Sequence, residues 1–337
     1  MAAVLTPRPV TAVPGSADHP AVPVVETEAA AWDEVVGLAG HLAPDAGLAD
    51  AVVDLAERAR DLLPHPVRAA LGELRTDPGP AGALLVRGVP IGALPATPAR
   101  PAATVVGKDR TSELLLLAVA RTLGEPVGYR PEHGGDLVQN LLPVREAAAT
   151  QTSTSSSVDL EFHTETAFHP HRPRYLLLSC LRGDAGARTL LCSLAALVPQ
   201  LTERERAVLG QPRFRTRVDA SFGGHPGLAA RPPAPVLRGD PARPALVFDA
   251  DLMDATDAEA ATVLARLRAL AVERRTAVVL APGDLLVVDN HAAIHGRSSF
   301  AARYDGTDRW LQRAFVVDDL APSAGDRQGR IIDTRFA

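Results

Sequence analysis

The sequence predicts an α+β protein, with helices in its first third and then many short strands that build a barrel or a two-sheet sandwich. Three observations lead there. Between residues 26 and 123 apolar residues recur at helical spacing. From Pro126 onward short apolar runs alternate with Gly, Pro, Asp and Ser clusters. One further helical pattern, Asp257–Val272, lies between two groups of strands, with Leu264, Leu267 and Leu270 on or near one face.

In chain order, residues 1–25 are rich in Pro, Ala and Val without a period and read as an extended or flexible N-terminal arm. Residues 26–337 read as a single domain, helical over 26–125 and strand-rich from about 126 onward. Thr27 is placed to cap the first helix, whose stripe is Trp32, Val35, Val36, Ala39 and Leu42. A second helix is expected over Ala49–Leu63. A third covers His65–Leu74, with Pro66 in its first turn. Ala83–Val89 reads as a strand, Pro90–Lys108 as a connection, and Thr111–Leu123 as a helix ended by Gly124. Strands are then expected at Val138–Leu142, Leu160–His163, Arg174–Leu181, Thr189–Cys192, Ala245–Phe248, Ala277–Leu280, Leu285–Asp289 and Arg313–Val317.

Composition narrows the function. Of 337 residues 46% are hydrophobic, enough for one large core or two modest ones. The net charge of −5 comes without a Lys/Arg block, so no nucleic-acid surface is expected. Apolar runs such as Leu114–Ala120 are too short to span a bilayer. Pro7, Pro9, Pro14 and Pro20 interrupt the first twenty residues, so no secretory signal is expected. The two cysteines, Cys180 and Cys192, sit in apolar surroundings and read as buried free thiols in a reducing cytoplasm.

The chemistry centres on His163-Thr164-Glu165. On a strand, residues i and i+2 share a face, so His163 and Glu165 converge. A third ligand must come from a distant strand. His295 follows the Leu285–Asp289 strand, and His291 competes with it four residues earlier. Two imidazoles and a carboxylate hold a metal by one face and leave the other open, as in non-haem Fe(II) oxygenases. Zinc accepts the same donors, but no H-E-x-x-H helix or cysteine pair is present. Arg313, on the next strand, offers a fixed cation to an anionic co-substrate and favours an oxo acid over hydrolysis.

The segments Glu161–Pro170, Tyr175–Gly183 and Asp289–Arg313, and more weakly Asp136–Pro143, resemble the clavaminate synthase-like branch of the Fe(II)/2-oxoglutarate-dependent oxygenases. That branch includes β-hydroxylases of arginine and asparagine from peptide-antibiotic pathways. Glu165 stands where most 2-oxoglutarate oxygenases have Asp, which is typical of the branch. The resemblance runs from about residue 110 to the end. It implies a double-stranded β-helix (jelly-roll) core with flanking helices. It implies Fe(II) on His163, Glu165 and His295, with 2-oxoglutarate and O2 as co-substrates. It also implies that Arg313 pairs with the far carboxylate of 2-oxoglutarate, with Thr189 as its hydroxyl partner. The reaction it implies is hydroxylation of an unactivated carbon, coupled to decarboxylation of 2-oxoglutarate to succinate.

The expected substrate is a free amino acid of specialised metabolism. Gln139 and the hydroxyl-rich Ser153–Ser157, Ser155 among them, are expected near its α-amino and α-carboxyl groups, with Arg303 or Arg309 on the carboxylate. Asp249 and Asp251, at i and i+2 of an extended segment, would compensate a buried guanidinium or ammonium. Otherwise Asp251, Asp254 and Asp257 cap the helix that follows. L-arginine is expected first, then lysine or an arginine-derived amino acid. The same chemistry serves desaturation, cyclisation, or a carrier-bound or non-basic amino acid. A non-catalytic metal-binding jelly-roll and a zinc hydrolase are the readings from other classes.

Overall fold

A computed structural model describes residues 11–13, 20–42, 50–223, 232–240, 243–334 and 336. Ten strands form a main sheet. Its path runs Thr11–Val13, Val22–Glu26, Ala83–Arg87, Leu285–Asp289, Tyr175–Arg182, Trp310–Val317, Glu125–Tyr129, Ile331–Ile332 and Arg327–Gln328, and Gln139–Leu141 also pairs with Trp310–Val317. The central strands Tyr175–Arg182, Leu285–Asp289 and Trp310–Val317 are buried almost throughout, as near-continuous apolar runs covered on both faces must be. Successive residues point to opposite faces. Leu177, Leu285, Val287 and Val316 therefore pack with the helix Thr111–Leu123, whereas Leu176, Leu178, Leu286 and Val288 join Leu191 and Val278 of a second sheet.

That second sheet has the order Thr276–Val279, Arg188–Ser193, Ala293–Arg297, Leu160–His163, all antiparallel. The helix Ala258–Glu273 covers its far side through Val263, Leu264 and Leu267, which share a cluster with Cys192 and Ile294. Asp257 caps that helix by accepting from the Ala260 amide at 3.0 Å. The helix Thr111–Leu123 is buried nearly all round, as an apolar helix without a polar face must be. Its one acidic residue, Glu113, is buried with Lys108, the only lysine of the chain, at 2.5 Å. Glu113 also accepts from Gln312 Nε2 at 3.1 Å, which ties the helix to the strand carrying Arg313.

Several elements differ from expectation. Of the expected arm, residues 1–10 and 14–19 lie outside the described residues, but Val22–Glu26 is a strand parallel to Ala83–Arg87. Thr27 caps no helix: its amide continues this pairing to Arg87 O at 3.0 Å, and its hydroxyl accepts from Trp32 Nε1 at 2.9 Å. The first helix then begins at Asp33. Ala49, the expected start of the second helix, lies outside the described residues, and that helix is seen over Asp50–Arg60. Ala245–Phe248 pairs as a strand only over Ala245–Leu246. Strands at Glu125–Tyr129 and Ala293–Arg297 and a helix at Glu203–Leu209 were not anticipated. No helix among the described residues is long and apolar enough to cross a membrane.

Candidate metal centre

His163 ends the Leu160–His163 strand, and His295 stands directly opposite it in register on Ala293–Arg297. Their rings lie 4.3 Å apart between centroids. The neighbouring Gly296 permits this approach, because a Cβ there would fall 2.6 Å from Leu160 O. Glu165 follows two residues after His163, and ligand atoms of the three side chains all lie within 4.8 Å of one another. His291 is elsewhere, its Nδ1 held by Arg174 Nη1 at 2.9 Å, so His295 is the third member.

Protonation suits a cation. His163 Nδ1 lies 2.8 Å from Glu161 O, which fixes the hydrogen on Nδ1 and leaves Nε2 as a lone-pair donor. Burial above all holds His295 down at about 4, so its imidazole is neutral at neutral pH. Burial alone would push the Glu165 carboxyl up, but Arg313, His295 and His163 outweigh it and keep it below the usual carboxylate range. Glu165 Oε2 thus sits 3.3 Å from the neutral His295 Nε2 and is buried without a hydrogen-bond partner. Converging acceptors without a donor cost free energy unless a cation joins them. The residues therefore fit a divalent metal, held through both imidazoles and the Glu165 carboxylate.

The centre opens on a cavity of about 360 Å³, a size in the range of small-molecule sites. Thr189, Asp249, Arg309 and Arg313 line it, with Glu132, Asp219 and the loop residues Gln151, Thr152, Ser153 and Thr154. The two arginines differ in a way their spacing did not reveal. The Arg313 guanidinium is occupied: Nε donates to Gln139 Oε1 at 2.9 Å, Nη2 to Glu132, and Nη1 to Glu165 Oε1 at 3.5 Å. Arg309 is 7% exposed and makes no hydrogen bond or ion pair among the described residues. Burial pulls its pKa down to about 10, still charged at neutral pH.

The other expected site residues divide. Asp249 is in place, 7% exposed on the cavity wall, with Oδ1 accepting from the amides of Asp251 and Leu252 at 3.0 and 2.7 Å. Burial raises its carboxyl to about 6. Asp251 is not in place. Residues 250–252 form a turn rather than an extended segment, so the i, i+2 alternation fails and Asp251 is exposed. Ser155 also turns away: its hydroxyl accepts from Arg297 Nη2 at 2.9 Å and donates to Thr152 O at 2.8 Å, fully buried. Gln139 stands behind Arg313 and orients it. Arg303 closes an exposed turn through Thr307. Glu132 and Asp219 escaped the sequence reading, since an isolated acid in a loop carries no periodic or motif signal.

Such a site, on facing sheets with helices outside, defines a mononuclear metal oxygenase. The chain belongs to the taurine catabolism dioxygenase TauD, TfdA family, whose model matches residues 72–315. It is an Fe(II)/2-oxoglutarate-dependent dioxygenase, and O2 is its second co-substrate. An L-lysine 3-hydroxylase of Catenulispora acidiphila is 39% identical over 282 residues, covering 82% of this chain and 78% of that one. An asparagine oxygenase solved with Fe(II), 2S,3S-3-hydroxyasparagine and succinate superposes with a TM-score of 0.84 at 34% identity, over 92% of this chain and 98% of that one. The non-heme iron oxygenase OrfP, solved with Fe, succinate and (3S)-hydroxy-L-Arg, gives 0.83 at 29%, over 92% and 100%.

Proposed function

We propose that this protein hydroxylates a free basic amino acid, arginine or lysine, in specialised-metabolite biosynthesis, and that Arg309 and Arg313 divide two carboxylates between them. The observation that carries the reading is the pairing of a metal-binding triad with a cavity lined by the acids Asp249 and Asp219 and by Arg309 and Arg313. Relatives that act on lysine or arginine include 3-hydroxylases and 4-hydroxylases, so the β or the neighbouring carbon is the expected position.

Fe(II), 2-oxoglutarate and O2 together supply the oxidising equivalent for the C–H bond, with succinate and CO2 as co-products. The chain's own work is positioning. Arg309 is the unneutralised cation and stands with Thr189 on the cavity wall. It therefore takes the far carboxylate of 2-oxoglutarate by two parallel hydrogen bonds. This exchanges the roles expected of Arg309 and Arg313 from sequence. Arg313 is already paired with Glu132, and together they complement a zwitterion. The substrate carboxylate meets Arg313, and its ammonium meets Glu132. Asp249 then receives the side-chain cation, since a guanidinium or ammonium enters a buried pocket only with compensating charge.

The facing sheets are read as a double-stranded β-helix and residues 26–337 as one oxygenase domain. The free, buried Cys180 and Cys192 fit a reducing cytoplasm. Calorimetry of the anaerobic Fe(II)–2-oxoglutarate protein tests the substrate assignment. Arginine or lysine binds and asparagine does not, and Asp249→Asn abolishes the difference. Equal binding of asparagine to the wild type would overturn the basic-substrate reading.

A further inference from the structure

We propose that Asn290 is a positioning residue for the metal ligand Glu165, a role that rests on the metal-centre reading above. Asn290 is fully buried between the strands Leu285–Asp289 and Ala293–Arg297. Its Oδ1 accepts from the Glu165 amide at 2.7 Å, and its Nδ2 donates to Glu165 O at 3.2 Å and to Pro173 O at 2.9 Å. Glu165 is itself buried, and its backbone N–H and C=O have no other partner among the described residues. Asn290 therefore meets the whole backbone hydrogen-bond demand of a metal ligand, which a buried segment must satisfy somewhere.

The chemistry needs a carboxamide. Only Asn and Gln present an acceptor and a two-hydrogen donor in one plane, the shape of a peptide group. Asn290 thus acts as a strand neighbour where no strand reaches, because the chain leaves the sheet at Glu165. The next residue, Thr166, has φ +48°, the left-handed region, so the ligand sits on an abrupt turn. Thr164 holds the near side, with its amide on Phe248 O at 2.7 Å and its hydroxyl accepting from the Phe248 amide at 3.0 Å. Asn290 holds the far side. It belongs to the same loop that leads into His295, so one side chain sets two of the three ligands relative to each other. The Asn290 amide is in turn fixed on Arg174 O at 2.9 Å.

The test is Co(II) titration followed by the visible d–d bands, with apo-protein melting measured alongside. In Asn290→Ala, affinity falls about 10- to 100-fold, the size of effect seen when a residue supporting a metal ligand is lost, and the band envelope shifts. Asn290→Asp, which sets a carboxylate against two carbonyls, behaves the same or worse. Val263→Ala, a cavity in the distant helix Ala258–Glu273, lowers the melting temperature but leaves affinity and bands unchanged. If Asn290→Ala fails to fold, the same comparison is made with Asn290→Ser. Wild-type affinity and spectrum in the folded Asn290 variants would overturn this role alone. Undiminished Co(II) binding in Glu165→Ala would instead overturn the metal-centre reading on which it rests.

Discussion

At the residue scale, neutralisation decides roles that spacing leaves open. Arg309 and Arg313 lie four apart and line the same cavity, yet only Arg309 lacks an anionic partner among the described residues. Removing a charge-assisted hydrogen bond costs about 1.5–3 kcal/mol, or about 10- to 100-fold in affinity. Arg309→Ala is therefore expected to raise KM for 2-oxoglutarate by that factor with little change for the amino acid, and Arg313→Ala to do the reverse. Steady-state kinetics with each co-substrate varied in turn checks both, and the opposite pattern restores the roles expected from sequence. The ligand triad was legible from the His163-x-Glu165 spacing, although the strand ends at His163 and Glu165 lies on the turn that follows. The arginine roles were not, because Glu132 reaches Arg313 from a loop 181 residues away. Asp251 misled for a related reason, since a turn cancels the alternation its spacing assumes.

At the element scale, periodic segments were legible and segments with mixed signals were not. The helices and the apolar central strands appear close to where their periods place them. The Glu125–Tyr129 strand was hidden by Pro126, which donates no hydrogen bond, and by Gly128. The Ala293–Arg297 strand was hidden because its composition serves the site. The Glu203–Leu209 helix was missed although Thr202-x-x-Glu205 marks its start, a capping box that the structure contains in full. Thr202→Ala should cost about 1 kcal/mol in urea unfolding without touching activity. Glu113→Ala is the harsher change, because it leaves the buried Lys108 without its carboxylate and removes one of the bonds between Gln312 and the central helix. A loss of about 3–5 kcal/mol is expected, and a change below about 1 kcal/mol would mean the network adds nothing to the fold.

At the scale of the whole molecule, the fold buries titratable groups in order to place them. His133, His291 and His295 are each held down to about 4, chiefly by burial. Unfolded histidines titrate near about 6.5, so the folded chain binds fewer protons between those values. Stability is therefore full above about pH 6.5 and falls as the pH drops, by at most about 1.4 kcal/mol per pH unit for each histidine. Asp249, raised to about 6, acts in the opposite sense only below that pH. The melting temperature of the apo-protein should accordingly fall between pH 7.5 and 6.0, and a flat profile would show that these histidines are not buried neutral. The two-sheet core was legible as many short strands, whereas the cavity was not, because it is assembled from ten separate stretches of chain. The most direct measurement is amino-acid-dependent succinate formation by the Fe(II)-loaded protein in air, with products read by mass spectrometry across all the common amino acids. Arginine or lysine should give stoichiometric succinate and gain one oxygen, and Asp249→Ala should abolish both. Turnover of a neutral or acidic amino acid in preference to these, or arginine turnover unchanged in Asp249→Ala, would contradict it.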